Sequence, residues 1–135
     1  MATLFVKMKV KEGKEAAFEE VTRLLGEKTS EEKGCRLYSY FRAQEPRLYY
    51  CLLVFDSYAD FLVHQTSDHH ETLITPRVEE LFEAFETEWL DGVSNASIGT
   101  ITEHEDPGSD ASEREKFYAA AMPAVVQDWW QSLRA

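Results

Sequence analysis

The sequence predicts a single α+β domain in which helices cover one side of an antiparallel sheet. Three observations carry that reading. Residues 3–11 alternate apolar and polar, residues 35–55 hold two aromatic-rich runs separated by a turn, and apolar stripes at helical spacing follow each of these segments. The 135 residues, 44% hydrophobic and 13% aromatic, suffice for one core and are too few for two.

In the first strand Leu4, Val6, Met8 and Val10 share a face, Lys7, Lys9 and Lys11 take the other, and Phe5 is the exception on the polar side. After Gly13 the period changes. Phe18, Val21, Leu24 and Leu25 form a helical stripe, Glu19 and Arg23 make an i,i+4 pair, and Gly26 is expected to end the helix. A polar connector, Glu31-Glu32-Lys33-Gly34, leads into a hairpin whose runs, CRLYSYFR and LYYCLLVF, are joined through Ala43-Gln44-Glu45-Pro46.

Setting Arg42 opposite Leu48 puts Cys51 opposite Ser39 and Cys35 opposite Phe55. The thiols then lie beyond the ~7 Å Cα separation a disulfide can bridge, and two free cysteines are expected. This register gathers Arg36, Tyr38, Tyr40 and Arg42 with Leu48, Tyr50, Leu52 and Val54 on one face. Cys35, Leu37, Ser39, Phe41, Tyr49, Cys51, Leu53 and Phe55 fall on the other. Neither face is polar enough for water. Helices cover one, so the second is expected to meet the sheet of a second copy in a homodimer.

Ser57 with Asp60 reads as an N-cap for a helix from Tyr58 to about Thr66, and Asp68 with Glu71 and Thr75-Pro76 read as further helix starts. Val78, Leu81, Phe82, Phe85 and Trp89 fall at helical spacing opposite Glu79, Glu80, Glu83 and Glu86, which predicts a broken helical region over 58–87. Glu88–Leu90 and Ser97–Ile101 are candidate strands around Asp91-Gly92. Residues 103–110, with Pro107-Gly108, read as a linker. Ser112 and Glu115 form a capping box for a terminal helix along Phe117, Ala121, Ala124 and Val125, kinked or restarted at Pro123. Trp129, Trp130 and Leu133 are expected to pack on the body or on a partner. A core domain over 1–100 and a linker with a helical extension over 101–135 are the expected divisions.

The chain carries 14 basic and 25 acidic residues, a net charge of −11, which disfavours nucleic acid and anionic lipid as partners. No run approaches the ~18 apolar residues of a membrane span, so a soluble cytoplasmic protein is expected. The order strand, helix, hairpin, helix, strand is the split βαβ arrangement of ferredoxin-like folds.

Three motifs point to a family. Val10-Lys11-Glu12-Gly13-Lys14 before the helix of Phe18, Lys33-Gly34-Cys35-Arg36-Leu37-Tyr38, and the run from Phe55 to His69 resemble, in that order, the antibiotic biosynthesis monooxygenase domain over residues 3–95. The resemblance implies a dimeric α+β barrel made from two ferredoxin-like subunits. It also implies a range of activities: cofactor-independent oxygenation of quinols and anthrones, haem degradation, sugar-phosphate isomerisation. His64 falls where the family has a histidine on the helix after the third strand, and His69 matches a frequent second one. Leu53 and Phe55 stand where many members have a glutamate and a tryptophan. The haem-degrading pattern fails, since residues 3–11 contain no Asn and Phe55 replaces the Trp.

Oxygenation without metal or flavin requires an electron-rich substrate activated by losing a proton in a dry pocket. His64 is the expected proton acceptor. Tyr38, Tyr40 and Tyr50 are expected to orient the substrate, with Phe61, His69 and Trp89 as further binding residues. Of His64, Asp68, His69 and His70, only His64 and Asp68 have helix-ligand spacing, as do Asp60 and His64, and no metal is expected. The chain lacks GxGxxG, Walker and GxSxG signatures, and no cofactor is expected. The sequence thus reads as a monooxygenase using O2 on a quinol- or anthrone-like aromatic. A non-catalytic ligand-binding or interaction module on the same fold is the competing reading.

Overall fold

Apolar residues on one side of β1 (Ala2–Val10) require partners on both edges and a covering layer, and the fold supplies all three. The computed structural model describes residues 1–93 and 101–134. After β1 come α1 (Glu15–Thr29), β2 (Cys35–Arg42), β3 (Leu48–Phe55), α2 (Tyr58–Thr66) and α3 (Asp68–Leu73). A 3-10 turn at Thr75–Arg77 leads into α4 (Val78–Leu81), β4 (Phe82–Leu90), α5 (Glu113–Ala121) and α6 (Asp128–Ser132). The four strands are antiparallel in the order β2-β3-β1-β4, a ferredoxin-like α+β arrangement. Among the described residues no helix is long and apolar enough to cross a membrane.

The β2–β3 register differs from the expected one. From Arg42 opposite Tyr49 to Leu37 opposite Val54 the pairing is shifted by one residue, and it returns to Cys35 opposite Phe55 through an irregularity at Arg36. Because side chains alternate faces, that single extra residue moves Tyr38 and Tyr40 to the side of Tyr49, Cys51 and Leu53, leaving Tyr50 behind. Glu19 of α1 holds the shifted register. Its carboxylate accepts from the cross-strand partners Arg42 (2.6 Å) and Tyr49 (2.5 Å). Bonds from the Arg42 guanidinium and then the Tyr49 hydroxyl bring the Glu19 carboxyl down to about 2. Both cysteines are free.

Two helix boundaries are also corrected. Gly26 does not end α1, which continues to Thr29 because Leu25 and Thr29 are both fully buried and tertiary packing outweighs glycine's weak helix propensity. The helical reading of 82–87 is replaced by β4, which pairs Phe85 with Met8, Thr87 with Val6 and Trp89 with Leu4. A spacing of four between Phe85 and Trp89 satisfies a helix and a strand alike, and β1's unpaired edge decides between them. The candidate strand over 97–101 lies outside the described residues except for Ile101, which is in no strand.

Ser57 caps α2 by accepting from Asp60 N, and Ser112 caps α5 by accepting from Glu115 N. α5 packs on α2: the Tyr58 hydroxyl donates to the Met122 carbonyl (2.8 Å) and the Tyr118 hydroxyl to Glu71 (2.5 Å). At the end of the chain Trp130 packs against the core, whereas Trp129 is 63% exposed. Phe18 anchors the layer above the sheet, with its ring 4.6 Å from Tyr49, 5.9 Å from Tyr40 and 5.7 Å from Phe82. Replacing Phe18 with Ala should destabilise the fold by about 3–5 kcal/mol, read from the urea midpoint at unchanged m-value.

Candidate active site

Between the helix-covered face of the sheet and the helices lies a cavity of about 230 Å³. Leu4, Val6, Met8 and Leu53 give it an apolar floor, and Tyr38, Tyr40, His64, His70 and Tyr118 bring polar groups to it. Its position follows from the sheet: alternate residues of β1, β2 and β3 point to the same side, and β2's shifted register delivers two tyrosines there.

His64 comes from α2. The first turn of that helix is fixed by the Ser57 cap and by contact with Gly34, where a β-carbon would lie 2.2 Å from Asp60 Cγ. The ring is fully buried, 5.0 Å from Tyr38 and 5.3 Å from Phe55. Its Nδ1 is 2.9 Å from Glu32 Oε2, and the same oxygen is 2.7 Å from His69 Nε2. Burial alone would raise the Glu32 carboxyl. The bonds from His64 and His69 together outweigh it, and the group sits below the ordinary carboxylate value. An ionised carboxylate only accepts, so each facing ring nitrogen donates to it. In the neutral imidazole that leaves His64 Nε2 as the acceptor, and this atom is buried without a hydrogen-bond partner.

The Tyr38 and Tyr40 hydroxyls are 2.7 Å apart. Both residues are half-buried as a whole, yet burial pushes the hydroxyls well above their usual value, so both stay protonated, one donating to the other and one left free to donate. His70 is pushed down to about 4, first by burial and then by His64, against the opposing pull of Glu71. The Tyr118 hydroxyl is raised, mainly by burial.

The structure therefore brings Tyr38, Tyr40 and His64 together at the cavity, with His69 one carboxylate away from His64. It does not bring the other expected residues there. Tyr50 lies on the opposite sheet face, 5.1 Å from Phe5, because of the register shift. Phe61 and Trp89 pack on each other in the core at 5.2 Å. Asp68 is exposed at the start of α3, so the His64–Asp68 helix pair does not form. Sequence reasoning missed Glu32 and Tyr118, and weighed His70 only as a metal ligand. Nothing in Glu31-Glu32-Lys33 singles out the middle residue; its side chain is 11% exposed only because the chain turns inward after α1.

A split βαβ sheet with a histidine-bearing cavity beneath its helices defines a domain of the ferredoxin-like α+β class. The chain belongs to the antibiotic biosynthesis monooxygenase family, whose model matches residues 1–75. Among solved structures it is similar to protein SO0527 of Shewanella oneidensis, at 27% identity and a TM-score of 0.62 over 66% of this chain and 87% of that one. A Caulobacter crescentus protein named as a candidate antibiotic biosynthesis monooxygenase is 26% identical, with a TM-score of 0.64 over 69% and 90% of the two chains. Rv0793 of Mycobacterium tuberculosis, at 18% identity, shares the fold with a TM-score of 0.66 over 71% and 98%. No protein of curated function matches the chain.

His70 gives the fold a pH dependence. Its pKa falls from 6.5 in the unfolded chain to about 4 in the folded one. Between those values the unfolded chain binds a proton that the folded chain refuses, so stability drops as pH falls through this window and His70 adds no further loss below it. Urea midpoints from pH 7.5 to 4 should show this slope, and His70→Gln should flatten it. An equal slope in both proteins would remove His70 as its cause.

Proposed function

We propose that the protein is a cofactor-independent monooxygenase that oxidises a compact, quinol- or anthrone-like aromatic with O2. The observation that carries this reading is the His64 Nε2 atom, which is buried, has no partner, and belongs to a ring held from behind by Glu32 in the wall of an apolar cavity. A carboxylate on one ring nitrogen fixes the tautomer and makes the other nitrogen a better base.

The substrate's acidic C–H or O–H proton passes to Nε2. Tyr38 and Tyr40 remain protonated, and because one hydroxyl donates to the other, the pair offers one free O–H to the developing phenolate or enolate oxygen. The anion gives one electron to O2, and the resulting radical pair joins to form a C–O bond. Protonated His64 returns its proton to the peroxide, and cleavage of the O–O bond with loss of the second hydrogen from the reacting carbon leaves one oxygen atom on the product and releases the other as water, so the substrate supplies all the electrons. The apolar floor keeps the anion out of water, where its charge would be solvated and less reducing. A volume of about 230 Å³ is below the ~300–1,000 Å³ of ordinary ligand pockets, which favours a compact ring system over an extended one.

The working unit is proposed to be a homodimer. On the sheet face away from the helices Phe5, Tyr50 and Leu52 are half-buried and Phe41 is 53% exposed, an apolar surface that a second sheet would cover. Sedimentation equilibrium at micromolar concentration should give twice the chain mass; a monomer would refute this assembly.

Oxygen uptake by metal-free protein across a panel of quinols and anthrones tests the chemistry. Wild type should exceed the uncatalysed rate, and His64→Ala should lose about 10²–10⁴-fold in kcat, the usual contribution of a positioned base. Glu32→Gln should lower kcat as well, because an amide no longer fixes the tautomer. Uptake by His64→Ala equal to that of wild type would sink the assignment.

A further inference from the structure

We infer that Glu32, His64 and His69 form a binding site for one divalent transition-metal ion of the zinc class. The three residues come from separate elements: Glu32 follows α1, His64 lies in α2 and His69 in the first turn of α3. Each presents one ligand atom, Glu32 Oε2, His64 Nδ1 and His69 Nε2, and all three atoms lie within 4.8 Å of one another. Two imidazoles and one carboxylate are the donor set that binds zinc or ferrous iron while leaving coordination positions open.

The distances suit such an ion. Bonds of about 2.0–2.1 Å set ligand atoms about 2.9–3.3 Å apart around right-angled to tetrahedral geometry. Here the nitrogens stand 2.9 and 2.7 Å from the carboxylate oxygen, so these two pairs need separate only slightly, and the two nitrogens lie within 4.8 Å of each other. A second observation concerns the other carboxylate oxygen. Glu32 Oε1 is buried and has no hydrogen-bond partner, an arrangement that a cation beside the carboxylate would explain by taking both oxygens. Entry is open from the surface, since the His69 side chain is 20% exposed. Thr29 Oγ1, 3.5 Å from His64 Nδ1, adds a neutral oxygen beside the cluster.

Metal on Nδ1 leaves the single ring proton of His64 on Nε2, so loading turns the cavity nitrogen from an acceptor into a donor. The ion would therefore hold the protein in a resting form. That consequence rests on the proton-acceptor role proposed above; binding of the ion does not, and its test needs no turnover.

Titration calorimetry of Zn2+ into the chelator-treated full chain, with Co2+ absorption as a spectroscopic companion, decides the point. One Zn2+ should bind per chain, and Co2+ should give visible bands. Glu32→Gln and His69→Ala should each weaken binding by more than the roughly 10–100-fold that loss of an outer partner causes. Asp68→Asn, which alters the exposed neighbour outside the cluster, should bind like wild type. Circular dichroism verifies that each variant is folded, and the partly exposed His69 provides the variant least tied to the core. Absence of stoichiometric binding, affinity unchanged in both folded ligand variants, or affinity lost in Asp68→Asn would overturn the site.

Discussion

A buried carboxylate between two imidazoles holds the functional half of this molecule together. Glu32 Oε2 accepts from His64 at 2.9 Å and from His69 at 2.7 Å, tying the exit of α1 to α2 and α3 through one atom. Burial of that charge would be unfavourable without partners, and the two ring N–H groups supply them. The same bonds fix which nitrogen of His64 is free. Positioning of the helices and the choice of the His64 tautomer are thus one interaction seen from two sides.

The sheet imposes the second constraint. Leu53 forms part of the cavity's apolar floor. The carboxylate that meets His64 comes from the α1–β2 connector. In the proposed reaction substrate charge develops over an apolar floor beside the Tyr38–Tyr40 hydroxyl pair, while the negative group stays behind the imidazole. A carboxylate at Leu53 would face the developing anion directly and oppose it.

The C-terminal segment completes the enclosure. Tyr118 and Met122 line the cavity, and their bonds to Glu71 and Tyr58 attach α5 to the helices below. The segment also reaches the sheet, where the Thr102 hydroxyl accepts from Thr3 N and the Arg134 guanidinium pairs with Asp91. Without Tyr118 and Met122 that side of the cavity would be open to water.

Local pattern by itself determined much of this protein. Period-two alternation marks β1, an N-cap and a capping box mark the starts of α2 and α5, and three ordered motifs carry the family resemblance, because each of these depends on residues close together in the chain. Only the tertiary structure decided the rest. Spacing of four between Phe85 and Trp89 suits helix and strand equally, and β4 forms because β1 has an edge to pair. One extra residue at Arg36 inverts the faces of β2, which sends Tyr38 and Tyr40 to the cavity and separates them from Tyr50, and strand composition does not encode that bulge. Glu32 is indistinguishable from Glu31 in sequence. Its role arises from burial against histidines 32 and 37 positions away, a contact between distant parts of the chain that no local period can announce.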